Sequence, residues 1–247
     1  MDAEALAVAL AKRITSVIDT ELRVGYVRHE LSQLEASVIA DLVAVVAARA
    51  TARDRDHRDL LLAISVAMAD QALEPLRREV ASIASSRGMQ DVARLLDAGA
   101  SPLHLGDDPP RVPDFGLGRP LTLGERKSLA RRRDRALIAR VLEDPHPDVI
   151  RIALRNPALT EDDVVRLCAR RPLRPDVVRE VFRSARWMVR SRVRSALARN
   201  PYTPLDLALQ IAAQLNAQEA REIAASPELS EELRETCRRV SGDGTLH

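Results

Sequence analysis

The chemistry this sequence offers is concentrated between residues 148 and 194. The tetrapeptide Asp-Val-(Ile/Val)-Arg occurs three times, at 148–151, 163–166 and 176–179. Its arginines, Arg151, Arg166 and Arg179, fall at similar places in successive helical patterns, with Arg170, Arg171, Arg174, Arg186, Arg190, Arg192 and Arg194 close by. A guanidinium donates two parallel hydrogen bonds to a carboxylate or phosphate, so an arginine ladder along one surface would hold an acidic partner or a polyanion. Trp187, the only tryptophan, stands within SARWMVRSRVR (184–194). A ring flanked by arginines can stack on bases or anchor an interface; it can equally fill a core between helices. The tetrapeptide also has a purely structural explanation. Asp in a first turn suits the helix dipole, the Val/Ile pair supplies an apolar face, and Arg three residues on pairs with the Asp for a few tenths of a kcal/mol.

Catalytic constellations are missing from the pattern. There is no phosphate-cradling glycine loop, no GxSxG elbow and no His pair at i, i+4. The five histidines are scattered, and Cys168 and Cys237 lie 69 residues apart with no CxxC spacing, which predicts buried free thiols rather than a disulfide or zinc site. The expectation is a non-enzymatic protein with no cofactor and no metal.

Charge sharpens where a partner would bind. The net charge is +2, but residues 1–118 carry −5, residues 119–199 carry +11 and residues 200–247 carry −4. A polyanion would meet the middle segment. Only Lys12 and Lys127 among the 38 basic residues are lysines; with so much Ala, this usage also fits a GC-rich genome, so the Arg count alone carries little functional weight. Lys is scarce, aromatics are 2% of the chain, and no nucleic-acid motif is present, which places nucleic acid second to an acidic protein as partner. Asp2 and Glu4 stand where a secretory peptide needs basic residues, and the most apolar run, 38–48, is too short to span a bilayer. A cytoplasmic location without membrane insertion is expected.

These side chains must be positioned by helices. The apolar content is Ala, Val, Leu and Ile, and the chain is rich in helix formers, so the fold class is all-α. Apolar steps of three and four predict a first helix over 2 to about 22, interrupted at Gly25. They predict a longer helix over about 27–50, whose near-heptad stripe could be a helical-hairpin or dimer seam. Further helices are expected over 60–73, from Pro75 to Gly88, and over 90–99. Five prolines and three glycines in 101–120 mark a linker, with Phe115 as its anchor. Helices are then expected near 122–142, 147–155, 160–170, 175–184, 187–199, 203–213, 216–225 and 229–240. Their starts are the capping patterns Thr122…Glu125, Thr160…Asp163 and Thr203…Asp206, with Pro204 at N1. Their stops are Asp144-Pro145, Asn156-Pro157, Asn200-Pro201 and Ser226-Pro227.

VIRIALRNP (149–157) realigns on VRSALARNP (193–201), 44 residues apart, a spacing that signals stacked helical repeats. Val193-Arg194, ALARNPYTP (196–204) and Leu207-Ala208-Leu209 resemble the leucine-rich-repeat-variant unit, related to HEAT-like repeats. The copy at 149–165 matches less fully, and the echo at 223–233 keeps only Ser-Pro. The resemblance covers about 122–240 and implies a right-handed α-solenoid, an architecture rather than an activity. Some members of the family bind an iron–sulfur cluster through a cysteine-rich segment that this chain lacks. Leu121 to Val165 also resembles a group of uncharacterised bacterial proteins, which implies no function. HEAT-like DNA glycosylases catalyse with an Asp and aromatics; Asp176 and Trp187 are the nearest counterparts, but no spacing singles them out.

The sequence therefore predicts an N-terminal acidic helical domain or helical hairpin (1–100), a Pro/Gly-rich linker (101–120), a basic α-solenoid (121–240) and a flexible tail (241–247). The expected function is a scaffold or adaptor gripping an acidic protein, the chain's own N-terminal domain included, with nucleic-acid binding as the alternative. Its expected partner-binding residues are Arg151, Arg166, Arg170, Arg171, Arg174, Arg179, Arg186, Trp187, Arg190 and Arg194.

Overall fold

The computed structural model describes residues 2–52, 54–97, 111–116 and 118–242. Within them the protein is all-α, with sixteen α-helices, one short 3₁₀ turn and no strand. The N-terminal helices are α1 (Ala3–Thr15), α2 (Thr20–Ser32), α3 (Ala36–Thr51), α4 (Arg55–Met68), α5 (Glu74–Ser86) and α6 (Gln90–Leu96), with the 3₁₀ turn Gln71–Leu73 before α5. After the connector come α7 (Leu123–Leu129), α8 (Arg135–Val141), α9 (Pro147–Leu154), α10 (Glu161–Ala169) and α11 (Pro175–Arg183). The chain continues with α12 (Ala185–Met188), α13 (Ser191–Ala198), α14 (Leu205–Ala212), α15 (Ala217–Ala224) and α16 (Glu231–Ser241).

Most boundaries follow from caps. Asp19, Asp54 and Asp134 each accept a backbone N–H at the start of their helix, and Thr122–Glu125, Thr160–Asp163 and Asn216–Glu219 form reciprocal capping boxes. Caps and turns correct five expectations. The helix expected over 2–22 is two helices, because Asp19 starts a new one; Gly25 lies inside α2 and interrupts nothing. The helix expected over 27–50 breaks at Gln33–Glu35. Val27, Leu31, Ile39, Leu42 and Val46 of its stripe are fully buried within the chain, while Leu34, Val38 and Val45 are half-buried. The spans 122–142 and 187–199 are each divided, the first at Asp134 and the second at Val189–Arg190. Thr203 does not cap α14: its hydroxyl donates to Leu197 O at 2.7 Å, and Pro204 occupies the N-cap rather than N1. Of the connector, residues 101–110 and 117 lie outside the described residues, as do Gly99 and 243–247 of the tail. Phe115 is 8% exposed and belongs to the C-terminal apolar cluster.

Two apolar clusters fill the fold, one among α1–α6 and one among α7–α16. They meet at α4 and α14. Leu60 and Ile64 of α4 belong to the N-terminal cluster and Val66 to the C-terminal one. Leu207, Leu209 and Ile211 of α14 belong to the C-terminal cluster, while Ala213 just beyond it joins the N-terminal one. A helix that is apolar nearly all round needs cover on every side; α14 is one, with every residue but Leu205 buried, and α4 buries each residue from Ala63 to Met68. α12 packs on α2 and α4, and α14 on α4 and α6. Polar bonds close the joint: Arg183 Nε donates to Ala69 O at 2.7 Å and Gln214 Nε2 to Arg58 O at 3.0 Å. None of the helices among the described residues is long and apolar enough to cross a membrane.

Within the C-terminal helices the Asn-Pro pairs do more than stop helices. Asn156 is 3% exposed, and its Nδ2 donates to Ala130 O at 2.9 Å and Arg132 O at 2.8 Å, while Ala158 N–H donates to its Oδ1 at 3.0 Å. Asn200, also 3% exposed, repeats this with Cys168 O at 2.7 Å, Arg170 O at 2.8 Å and Tyr202 N–H at 3.0 Å. Each amide therefore closes the carbonyls left open after an earlier helix. Asp144 takes the corresponding place before Pro145: its carboxylate accepts Arg126 Nη1 at 2.6 and 2.7 Å and His146 N–H at 2.9 Å. Leaving a buried carbonyl unpaired costs about 1–3 kcal/mol. Asn200→Ala should lower unfolding free energy by roughly 2–4 kcal/mol in urea melts. Ser226→Ala, at the third echo, where the exposed hydroxyl bonds only Glu222 O of its own helix, should change it by less than about 0.5 kcal/mol.

Candidate functional site: an arginine field around Asn156

The three tetrapeptide arginines do not form one ladder. In the first two copies the i, i+3 pair is made, Arg151 to Asp148 at 2.6 Å and Arg166 to Asp163 at 2.8 Å. In the third it is not: Arg179 reaches Asp206 at 3.2 Å, and Asp176 faces Arg174 at 3.7 Å. α9 packs on α11 and α10 on α13, so Arg151 and Arg179 share a layer and Arg166 stands in another. Arg151 and Arg179 line two clefts at the joint between the halves, of about 660 and 330 Å³. One helical turn further on, Arg155 and Arg183 line the same clefts. The sequence signal for those two is the i+4 step from Arg151 and Arg179.

Most of the remaining candidates serve the fold. Trp187 is 3% exposed, its Nε1 donating to Leu154 O at 2.8 Å; it presents no free face and leaves the partner surface. Arg194 donates to Met188 O at 2.6 Å, and burial pulls its pKa down, so it too is an internal residue. Arg170 caps Leu142 O at 2.7 Å. Arg171 donates to Arg199 O and to Glu228, each at 2.9 Å. Arg190 is exposed and has no carboxylate partner among the described residues. Arg186 stacks on Trp187, 4.5 Å from ring centroid to guanidinium, and donates to Asn156 O at 3.3 Å.

Acids on neighbouring helices absorb much of the surplus positive charge. Arg135 of α8 crosses to Asp163 of α10 at 2.6 and 2.9 Å. That bond, with the Thr160 hydroxyl and N–H, holds the Asp163 carboxyl well below the usual carboxylate range. Asp206 behaves oppositely: burial pushes it up in spite of Arg179, and its Oδ1 has no hydrogen-bond partner. Burial also pushes both thiols up, Cys237 to about 12, so neither is a nucleophile at neutral pH. No three of His, Cys, Asp and Glu among the described residues are grouped to hold a metal.

Three of the arginines left without a carboxylate lie around one of the two asparagine staples. Registering the staples aligns Arg132 with Arg170, Arg133 with Arg171 and Arg155 with Arg199. Around Asn200, Arg171 pairs with Glu228 at 2.9 Å and Arg199 with Glu222 at 2.5 Å. Around Asn156 the counterparts of those two acids, 44 residues earlier, are Ser184 and Val178. Arg132, Arg133 and Arg155 accordingly have no carboxylate partner among the described residues, and all three are exposed. With Arg186, which bonds Asn156 O, they form an open cationic field that runs through Arg155 and Arg186 into the larger cleft. Compared with family models, with curated proteins and with solved structures, the chain matches none.

The Asp163 carboxylate sets an acid limit on the fold. Its folded pKa is depressed, so its contribution is present above the unfolded value of 3.8 and is lost as pH falls through that value towards the folded one. Asp163→Asn should lower stability at pH 7 and flatten the acid limb of a stability–pH profile below about pH 4. An unchanged acid limb would remove Asp163 from that role.

Proposed function

We propose that this chain is a non-enzymatic adaptor that holds an acidic protein partner on the arginine field around Asn156. In this reading residues 121–240 are a right-handed HEAT-like α-solenoid of the leucine-rich-repeat-variant kind, joined through the 101–120 connector to the N-terminal helical unit 1–100, and the protein acts in the cytoplasm. The paired staples at Asn156 and Asn200, the 44-residue register and the α9–α11 and α10–α13 packing support the repeat architecture. The observation that carries the function is the asymmetry between the two staples: equivalent arginines are matched by Glu222 and Glu228 at one and left open at the other.

The chain's own acidic N-terminal half is not what fills this field. Its helices α2, α4 and α6 dock on α12 and α14 by apolar burial and bonds to backbone carbonyls, and leave Arg132, Arg133, Arg155 and Arg190 exposed. Exposed guanidiniums on relatively rigid turns suit carboxylates on a partner, where bidentate pairing gives orientation as well as attraction. Nucleic acid is the lesser reading because Trp187, the aromatic in this region, has no open face for a base.

Poly-L-glutamate serves as a defined acidic probe. It should bind the full chain with an affinity that falls steeply between 50 and about 300 mM salt. Arg132→Glu with Arg133→Glu should weaken that binding by more than about tenfold with the circular dichroism melt unchanged. Binding that ignores this double reversal would sink the proposed surface. A mobility shift on single-stranded or duplex DNA stronger than the poly-L-glutamate signal would transfer the field to nucleic acid.

A further inference from the structure

The larger cleft has two chemically different walls. On the C-terminal side stand Arg151, Arg155, Arg183 and Arg186 with Glu180; on the N-terminal side stand Glu21, Asp70 and Gln71 with Arg28, and Val24, Val66 and Leu154 form an apolar lining between. Its volume of about 660 Å³ falls in the range of small-molecule sites, roughly 300–1,000 Å³.

Not all of its charges are spent within the protein. Arg183 is held by Glu180 and Ala69 O, both at 2.7 Å, and Asp70 by Arg28 at 2.6 Å. Arg155 has no described partner, and Arg186 bonds a carbonyl but no carboxylate. Arg151 shares Asp148 with Lys127, so two cations draw on one acid. Three guanidiniums therefore face the cleft with donor capacity and positive charge to spare. Arg186 is also set in place before any ligand arrives, stacked on a Trp187 ring that is itself pinned to Leu154 O. A preset side chain loses little rotamer freedom on binding. Across the cleft, the Glu21 carboxylate has no described partner and can only accept hydrogen bonds.

We infer that this cleft binds a small phosphorylated molecule, its phosphate oxygens on Arg151, Arg155 and Arg186 and an amino-bearing end against Glu21 and Gln71. The chemistry is that of a nucleotide with an exocyclic amine. A doubly charged oxyanion matches three guanidiniums better than one carboxylate does; the apolar lining accommodates a ring between the ends. This site shares Arg155 and Arg186 with the edge of the acidic-partner surface, whose centre, Arg132 and Arg133, does not line the cleft.

Isothermal titration of the full chain with adenosine 5′-monophosphate, ribose 5-phosphate and inorganic phosphate tests the inference. Saturable binding is expected in that order of decreasing affinity. Arg155→Gln, which removes no contact within the described fold, should weaken adenosine 5′-monophosphate by about tenfold or more, the value of one charge-assisted bond. Arg186→Gln should do the same, and Glu21→Gln should reduce the preference for adenosine 5′-monophosphate over ribose 5-phosphate. No saturable heat from any of the three in protein with an intact melt would overturn the site. So would binding that Arg155→Gln and Arg186→Gln leave unchanged, or equal binding of phosphate and sulfate at millimolar concentration only. Arg132→Glu with Arg133→Glu should leave nucleotide binding within about twofold of the parent chain, so failure of one reading is distinguishable from failure of the other.

Discussion

The buried amide of an asparagine that precedes a proline is the interaction on which the C-terminal half depends. Helices of seven to nine residues are too short to persist alone in water, and each ends with carbonyls that have no partner inside the helix. Burying those ends between packed helices is tolerable only if something donates to them. Asn156 and Asn200 supply two donors each to the chain 24 to 32 residues earlier, and the proline that follows prevents the helix from running on. The same short polar group thus ends one helix and fixes where an earlier turn lies against it. At Ser226 the device lapses, since its hydroxyl turns back to its own helix.

A second consequence follows from α4 and α14. Because α14 is buried on nearly every side, and α4 likewise from Ala63 to Met68, the two halves join by mutual burial rather than by attraction between the −5 and +11 segments. Apolar association is not directional, so it brings the halves together without using up the arginines. The joint leaves clefts whose walls come from different halves. One wall is basic because α9 and α11 present Arg151, Arg155, Arg179 and Arg183, and the other mixes Glu21, Asp70 and Glu74 with Arg28, Arg77 and Arg78.

The local features were legible because they depend on neighbours in sequence. Thr122–Glu125 and Thr160–Asp163 are capping boxes in the chain as they are in the pattern, and the helices 147–154, 161–169 and 175–183 fall within a residue or two of expectation. The errors came where an apolar period continued across a cap. Asp19, Asp134 and the Gln33–Glu35 turn each end a helix whose stripe carries straight on, because the two successive helices both face the same core. Trp187 fits either a stacking surface or a core by its neighbours alone; the core position is decided by its bond to Leu154 O, 33 residues away.

The sequence by itself determined the helical class, the caps, the stops at Asn-Pro and the location of the positive surplus, since each rests on interactions within about four residues or on composition. Only the tertiary structure decided which charges are spent. Ion pairing needs atoms within about 4 Å, and the partners of Arg135, Arg171, Arg179 and Arg199 lie 23 to 57 residues away. Helix packing chose those pairs and left Arg132, Arg133 and Arg155 without one. The repeat is written in the chain, but the open arginines around Asn156 exist only once the helices have stacked.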